Sequence, residues 1–212
     1  MPLACKAIGS QLEVWEYGNE PDLFRGKSRP SDWTVQQYIE EWLNGTALIK
    51  QYLAAACPEL GAPKFMAPSF SSPGSAFSQV TAFQAGGVDS QNAVAQKSLH
   101  NYITGATSPG VTLQGTLMNH NVTKASLQKH VTAANNLAAI DPNPYIVGEC
   151  NSLYGGGAAG LSDVFGAALW VVDFTLYAAS TGVIERVHYH RQYSLSVKLL
   201  PYLSNSFTDL LA

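Results

Sequence analysis

The chain has 212 residues, enough for one domain, and its composition argues against several classes of protein. Hydrophobic residues make up 46% and charged residues 13%, a balance that favours a packed core over disorder. A net charge of −3 and the lack of a Lys/Arg run argue against a nucleic-acid partner. Polar residues interrupt every apolar stretch before it reaches membrane-spanning length, so we expect no membrane insertion.

The first part of the chain alternates between strand-like and helix-like segments. Residues 12–17 (LEVWEY) are rich in β-forming side chains and predict a strand. A helix is predicted over residues 33–56, where Ser31 or Asp32 can act as its N-cap. A second strand and a second helix are then predicted at about residues 64–67 and 76–85.

The rest of the chain continues this alternation. Strands are predicted at about 99–103, 145–150 and 184–190, with helices at about 124–139 and from the glycine-rich loop of residues 155–160 to about residue 180. Such a β-loop-α pattern predicts a parallel sheet with crossover helices, either an open doubly wound sheet or a (β/α) barrel. Phosphate-loop and dinucleotide-binding glycine motifs are absent from the sequence.

Polar side chains at the carboxyl ends of several predicted strands favour the barrel, because barrel active sites are built there. These residues are Glu20, His100, Tyr102, Glu149 and His190. Five strands are fewer than the eight of a complete barrel. We therefore predict that residues 1–212 form a single α/β domain, a partial (β/α) barrel.

Two of these residues have the chemistry of a glycosidase. Asn19-Glu20-Pro21 places a carboxyl group just after a strand, where Pro21 cannot donate a further ladder hydrogen bond. Glu149 ends an apolar strand 129 residues later. Glycoside hydrolysis requires two carboxyl groups on opposite sides of the scissile bond, about 5–5.5 Å apart in retaining enzymes.

Three segments resemble glycoside hydrolase family 79, the β-glucuronidase and heparanase family, over most of the chain and in the same order. Residues 15–22 (WEYGNEPD) resemble its acid/base strand. Residues 147–157 (VGECNSLYGGG) resemble its nucleophile strand and the following loop, and residues 161–170 (LSDVFGAALW) resemble the next helix. The resemblance implies a (β/α)8 TIM-barrel glycosidase, of which this chain would hold the last five β/α units, the fourth to the eighth.

The resemblance also implies a role for each matching residue. Glu20 would be the acid/base and Glu149 the nucleophile of a retaining exo-β-glucuronidase. Its substrate would be the terminal glucuronosyl or 4-O-methyl-glucuronosyl residue of a glycan. The implied substrate-binding residues are Asn19, His100, Tyr102, Tyr154, Gly155 and Gly156. No metal, cofactor or protein partner is implied.

Several alternatives stay open on the sequence. The chain could be an inactive, uronate-binding remnant of such an enzyme. It could instead be a heparanase-like endo-glycosidase, although only 12 Lys and Arg residues are available to bind a sulfated glycan. His100 could be a satisfied barrel-interior histidine. We expect Glu16 to be a buried partner of a basic group such as Arg186.

The sequence also bears on the cysteines and on the compartment. Cys5, Cys57 and Cys150 are expected to be buried free thiols, since their wide spacing without histidine is not that of a zinc site. The family resemblance implies an extracellular protein. Asn44 and Asn121 begin N-glycosylation motifs, but the first residues of the chain do not resemble a signal peptide.

Because a barrel of five strands is open, we expect these 212 residues alone not to hydrolyse glucuronides.

Overall fold

A computed structural model describes residues 2–190 of the chain. One sheet contains five strands that all run parallel, and their order in the sheet follows the chain. The strands are β1 (Trp15–Glu16), β2 (Phe65–Phe70), β3 (Val94–Gly105), β4 (Tyr145–Tyr154) and β5 (Arg186–Tyr189). Helices connect them, which confirms the predicted α/β class and gives the architecture of a parallel half-barrel.

The helices fall close to their predicted positions, with one addition. They are α1 (Pro2–Ile8), α2 (Val35–Ala56), α3 (Gln79–Phe83), α4 (His120–Ala138) and α5 (Phe165–Ser180). Helix α1 has no counterpart in the sequence prediction. Within residues 2–190, no helix combines the length and the hydropathy that crossing a membrane would need.

The start of α2 differs from the predicted N-cap. Thr34 caps this helix, not Ser31 or Asp32: its hydroxyl accepts a hydrogen bond from the Gln37 N–H at 3.2 Å. The Gln37 side chain accepts one from the Thr34 N–H at 2.9 Å. This reciprocal capping box satisfies two N–H groups that the first turn of a helix leaves unpaired, which explains why the helix begins there.

All five strands differ in length from the prediction, and β1 and β3 show how the position of a strand in the sheet affects its length. β1 is at one edge and pairs only with β2, and of the predicted residues 12–17 only Trp15 and Glu16 form ladder pairs. β3 is central and pairs with β2 and β4, so it is longer than the predicted 99–103. Pairing on both sides stabilises more residues in the extended conformation than one edge ladder can.

The core lies between the sheet and its helices and is dominated by large side chains that are almost completely buried. Each such side chain contributes roughly 1.5–3 kcal/mol relative to an exposed position. The largest are Trp42, Trp170, Phe65, Phe70 and Phe174. This packing holds the strands that carry the polar residues described below.

The prediction of three free thiols is wrong for two of them. Cys5 on α1 and Cys57 at the end of α2 form a disulfide, with their Cα atoms 6.2 Å apart. The pairing arises because α1 brings Cys5 against a small buried cluster that contains Leu53 and Cys57. Cys150 is buried and free, as predicted. The two cysteines are 52 positions apart in the sequence, so no local pattern predicts this contact.

Candidate active site

Glu20 lies after β1 in a turn that is anchored to β2. Its backbone is left-handed, with φ 48°, and its N–H donates a hydrogen bond to the Ser69 carbonyl at 3.0 Å. Two residues later, the buried Asp22 carboxylate accepts hydrogen bonds from the Ser71 N–H at 3.0 Å and the Ser71 hydroxyl at 2.5 Å. A left-handed non-glycine residue costs on the order of 1 kcal/mol or more, so these contacts must hold Glu20 in place.

Glu149 lies on β4, where it pairs in register with His100 of β3. The Tyr102 hydroxyl, two residues further along β3, donates a hydrogen bond to Glu149 Oε1 at 2.7 Å. One carboxylate oxygen of Glu149, one of Glu20 and a ring nitrogen of His100 all lie within 4.8 Å of one another. Strands β2 and β3 separate the two glutamates in the sheet order, yet their carboxyl groups meet.

His100 is fully buried among three carboxylates. Its Nδ1 lies 3.1 Å from Glu20 Oε1 and 3.7 Å from Glu149 Oε2, and its Nε2 lies 3.6 Å from Glu16 Oε1. Burial alone would lower the pKa of the imidazole, but the contacts with Glu16 and Glu20 and the charge of Glu149 raise this pKa to about 9. The ring is therefore an imidazolium at neutral pH.

The predicted pairing of Glu16 with Arg186 is wrong. Arg186 binds Glu13 instead, with Nη1 2.9 Å from Glu13 Oε2. Glu16 faces His100, and its side chain keeps 36% of its surface exposed because β1 is an edge strand. Burial acts to raise the pKa of Glu16, but the contacts with His100 and Ser69 and the charge of His100 together lower this pKa.

Residues 154–156 follow on from the strand that carries Glu149, and Tyr154 lies against Tyr102. Tyr154 ends β4 with 57% of its surface exposed, and its ring meets the Tyr102 ring edge to face at 6.5 Å. Gly155 and Gly156 have φ values of +85° and +87°, a conformation that favours glycine. No group within residues 2–190 accepts a hydrogen bond from their N–H groups. Asn19 is exposed next to Glu20.

The same residues bear on metal binding. Glu20, His100 and Glu149 are the one set of three potential ligands with metal-like spacing in the described part of the chain. A cation could use His100 as a ligand only by displacing the proton that the neighbouring carboxylates hold on its ring. The arrangement is an ion-pair cluster in which one imidazolium compensates several carboxylates. The contacts of Glu16 and Ser69 with this cluster were not predicted, since they depend on pairing between distant segments.

Two curated proteins align with most of the chain. It is 50% identical over 199 residues to a beta-glucuronidase of Aspergillus niger, an alignment that covers 90% of this chain and 36% of the relative. It is also 50% identical over 200 residues to a beta-glucuronidase of Neurospora crassa, covering 90% of the chain and 35% of that protein. The chain thus spans about a third of the length of these relatives. No family model matches it.

Solved structures share the fold at lower sequence identity. A 4-O-α-L-rhamnosyl-β-D-glucuronidase from Fusarium oxysporum 12S superimposes with a TM-score of 0.62 at 24% identity, over 84% of this chain and 37% of that one. A xyloglucanase of glycoside hydrolase family 44 from Paenibacillus polymyxa gives a TM-score of 0.54 at 10% identity, over 91% and 45%. The half-barrel of this chain is therefore a fold that occurs within glycosidases.

Proposed function

We propose that this chain carries the catalytic glutamates of a retaining exo-β-glucuronidase of glycoside hydrolase family 79. Its substrate would be the terminal glucuronosyl or 4-O-methyl-glucuronosyl residue of a glycan, and its strands would be the fourth to the eighth of a (β/α)8 barrel. The observation that carries the proposal is the approach of Glu20 and Glu149 oxygens to within 4.8 Å. Retaining glycosidases hold their carboxyl groups about 5–5.5 Å apart, whereas inverting enzymes need about 6.5–9.5 Å.

The contacts of the two glutamates support different roles. Glu149 Oε1 accepts the hydrogen bond from Tyr102, which orients the carboxylate and leaves Oε2 to attack the anomeric carbon. As the glycosidic bond breaks, Glu20 gives its proton to the leaving oxygen. Water then attacks the glycosyl-enzyme ester and passes a proton to Glu20, so that both carboxyl groups return to their starting states.

Residues 154–156 would bind the carboxylate of the uronic acid. The N–H groups of Gly155 and Gly156 are free of protein acceptors in the described part of the chain, and the Tyr154 hydroxyl is a further donor. Adjacent backbone N–H groups in such a turn favour an anion. Asn19 lies beside the acid/base residue, where its amide can bind a sugar hydroxyl.

An extracellular location fits the covalent structure. The Cys5–Cys57 disulfide is a bond that persists in oxidising compartments. Asn44 on α2 and Asn121 on α4 are both exposed at the start of N-glycosylation motifs. Secretion would also bring the protein to glycan substrates outside the cell.

The roles are tested by Glu149→Gly and Glu20→Ala in the complete natural protein that contains this sequence. Glu149→Gly removes the nucleophile, so we expect turnover to fall by at least about 10⁴-fold. Added azide should restore activity and give a glycosyl azide of inverted configuration. Glu20→Ala should impair substrates with poor leaving groups by about 10²–10⁴-fold and activated aryl glucuronides far less.

The exposed Glu40 of α2 provides the control variant Glu40→Gln, since its carboxylate accepts a hydrogen bond from Gln36 and is not among those that surround His100. Product stereochemistry, followed by NMR on wild-type protein, should show the β anomer first. Initial release of the α anomer would exclude retention. Glycan binding without hydrolysis in the complete protein would favour the remnant hypothesis, and cleavage within a chain would favour the endo-glycosidase.

A further inference from the structure

Three carboxylates surround His100, although the proposed function needs only two of them. Glu20 and Glu149 have roles in the chemistry, whereas Glu16 is four residues before Glu20 and contacts the far side of the ring. A buried imidazolium is costly unless carboxylates compensate its charge, and Glu20 and Glu149 already place two carboxylates against this ring. The arrangement therefore requires a reason for the third carboxylate.

We infer that Glu20 and His100 act as one acid, sharing the proton that the leaving oxygen receives, and that Glu16 is a positioning residue that keeps this proton on the pair. The inference rests on the proposed function and deepens it. The 3.1 Å contact between His100 Nδ1 and Glu20 Oε1 is the path of the shared proton. Glu16 lies 3.6 Å from Nε2, so its charge stabilises the imidazolium from the opposite side of the ring.

The proton transfers balance through the reaction cycle. Transfer from His100 Nδ1 to Glu20 Oε1 converts imidazolium and carboxylate into neutral imidazole and carboxylic acid. Glu20 then protonates the glycosidic oxygen while the anomeric carbon leaves that oxygen and bonds to Glu149. In the second step, water gives a proton to the Glu20 carboxylate as its oxygen attacks the anomeric carbon, and Glu149 departs as a carboxylate. The new proton on Glu20 is again shared with His100.

The other titratable groups near His100 do not replace Glu16. His130 on α4 has a pKa lowered by burial to about 3, and His188 on β5 has a pKa lowered by burial and by Arg186, so both are neutral at pH 7. Burial raises the pKa of Tyr102 and of Cys150, which keeps both protonated. The negative charges on His100 thus come from Glu16, Glu20 and Glu149.

The first test compares pH profiles of kcat/KM on an alkyl β-D-glucuronide, a substrate that needs protonation of its leaving group. Glu16→Gln should move the basic limb of the profile to lower pH by about one to three units, because an opposite charge at this distance shifts a pKa by that amount. On the acid side of the optimum the rate should stay within about twofold of wild type. A uniform loss at every pH would overturn the inference.

Two variants make this comparison specific. Glu16→Asp keeps the charge and should keep the basic limb near its wild-type position. Glu13→Gln removes a neighbouring carboxylate that binds Arg186 and does not contact His100, and it should leave the profile unchanged. If Glu13→Gln shifted the basic limb as far as Glu16→Gln does, general electrostatics would explain the result and the positioning role would be wrong.

A second test measures the interaction between Glu16 and His100 without an activity assay. We expect an NMR titration of the His100 ring nitrogens, assigned with His100→Asn, to give an apparent pKa that falls by one to three units in Glu16→Gln and stays high in Glu16→Asp. If the His100 pKa falls in Glu16→Gln but the wild-type protein hydrolyses no glucuronide, the pairing of Glu16 with His100 stands and the proposed function is wrong. Glucuronide hydrolysis without the shift would reject the inference alone.

Discussion

The structure contains two fully buried histidines whose protonation states are opposite. His100 and His130 both have 0% of their surface exposed. His100 contacts carboxylates, and its pKa is raised to about 9. His130 on α4 contacts the Tyr145 hydroxyl at 2.8 Å and Asn101 Oδ1 at 3.1 Å, and burial lowers its pKa to about 3. The charge of the neighbours, rather than burial, decides which histidine is an imidazolium.

The two histidines lie on opposite faces of β3. His100 and Asn101 are consecutive in this strand, so their side chains alternate between faces. His100 projects toward Glu20 and Glu149, and Asn101 projects toward α4, where it meets His130 and Ser126. The face of β3 with His100 therefore carries the charged, titrating groups. The face with Asn101 carries a neutral hydrogen-bond network that joins α4 to the sheet.

The largest expected effect is the loss of stability in His130→Ala, which tests whether His130 has a structural role and no role in the chemistry. His130→Ala removes a buried ring and leaves Tyr145 and Asn101 without their partner, so we expect unfolding free energy to fall by about 3–5 kcal/mol. Lys129→Ala, at the exposed neighbouring position, is the control. Denaturant unfolding gives the change in stability. The surviving His130→Ala protein should keep the wild-type pH profile of activity, and a shifted profile would contradict the comparison.

The stability of the protein should depend on pH in two separate ranges, one for each buried histidine. His100 has a raised pKa, so its contribution is complete below about pH 6.5 and is lost as pH rises through about 9. His130 has a lowered pKa, so its contribution is complete above about pH 6.5 and is lost as pH falls toward 3. We expect on the order of 2 kcal/mol in each window after relaxation around a buried charge is discounted.

Variants assign each window to its histidine. His130→Gln should flatten the acid side of the stability profile, because glutamine does not titrate, and should leave the alkaline side unchanged. Glu16→Gln should weaken the alkaline side, since His100 then deprotonates at lower pH. Thermal or denaturant unfolding across pH 4–10 measures both, and loss of both windows in one variant would mean that the two sites are coupled.

The sequence predicted the elements better than it predicted the contacts between them. The β/α alternation and the placement of Glu20 after β1 follow from local patterns, which one segment contains by itself. Glu149 was predicted near the end of its strand, but β4 continues beyond it to Tyr154. The Thr34–Gln37 capping box is also a local feature, although the sequence prediction places the N-cap at Ser31 or Asp32. This difference in the N-cap concerns residues within a few positions of one another.

The remaining differences involve residues far apart in the chain. The Cys5–Cys57 disulfide depends on how α1 packs, and the Glu13–Arg186 pair joins residues 173 apart. The sequence singles out His100 as a strand-end residue, but no pattern predicts that it is charged and His130 neutral, because this difference depends on which side chains the fold brings to each ring. Long-range pairing of this kind requires the three-dimensional structure.

The smallest expected effects come from two tyrosines, Tyr154 and Tyr145, which can be compared in the same way as the two histidines. Tyr154 is exposed beside the glycine turn, whereas Tyr145 is buried and bonded to His130. Tyr154→Phe removes one donor to the uronate carboxylate, and a lost charge-assisted hydrogen bond costs roughly 1.5–3 kcal/mol. We therefore expect kcat/KM for glucuronides to fall by about ten- to a hundredfold, with little change for glucosides and none in stability.

Tyr145→Phe is the matched change on the opposite face of the sheet. It deletes the hydroxyl that binds His130 Nδ1 and should lower unfolding free energy by about 1 kcal/mol, because one buried hydrogen bond is lost. The ratio of glucuronide to glucoside turnover should not change, since this hydroxyl lies away from the carboxylate cluster. Equal losses on both substrates in Tyr154→Phe would show that the Tyr154 hydroxyl only supports the loop, and recognition of the uronate would then fall to the N–H groups of Gly155 and Gly156.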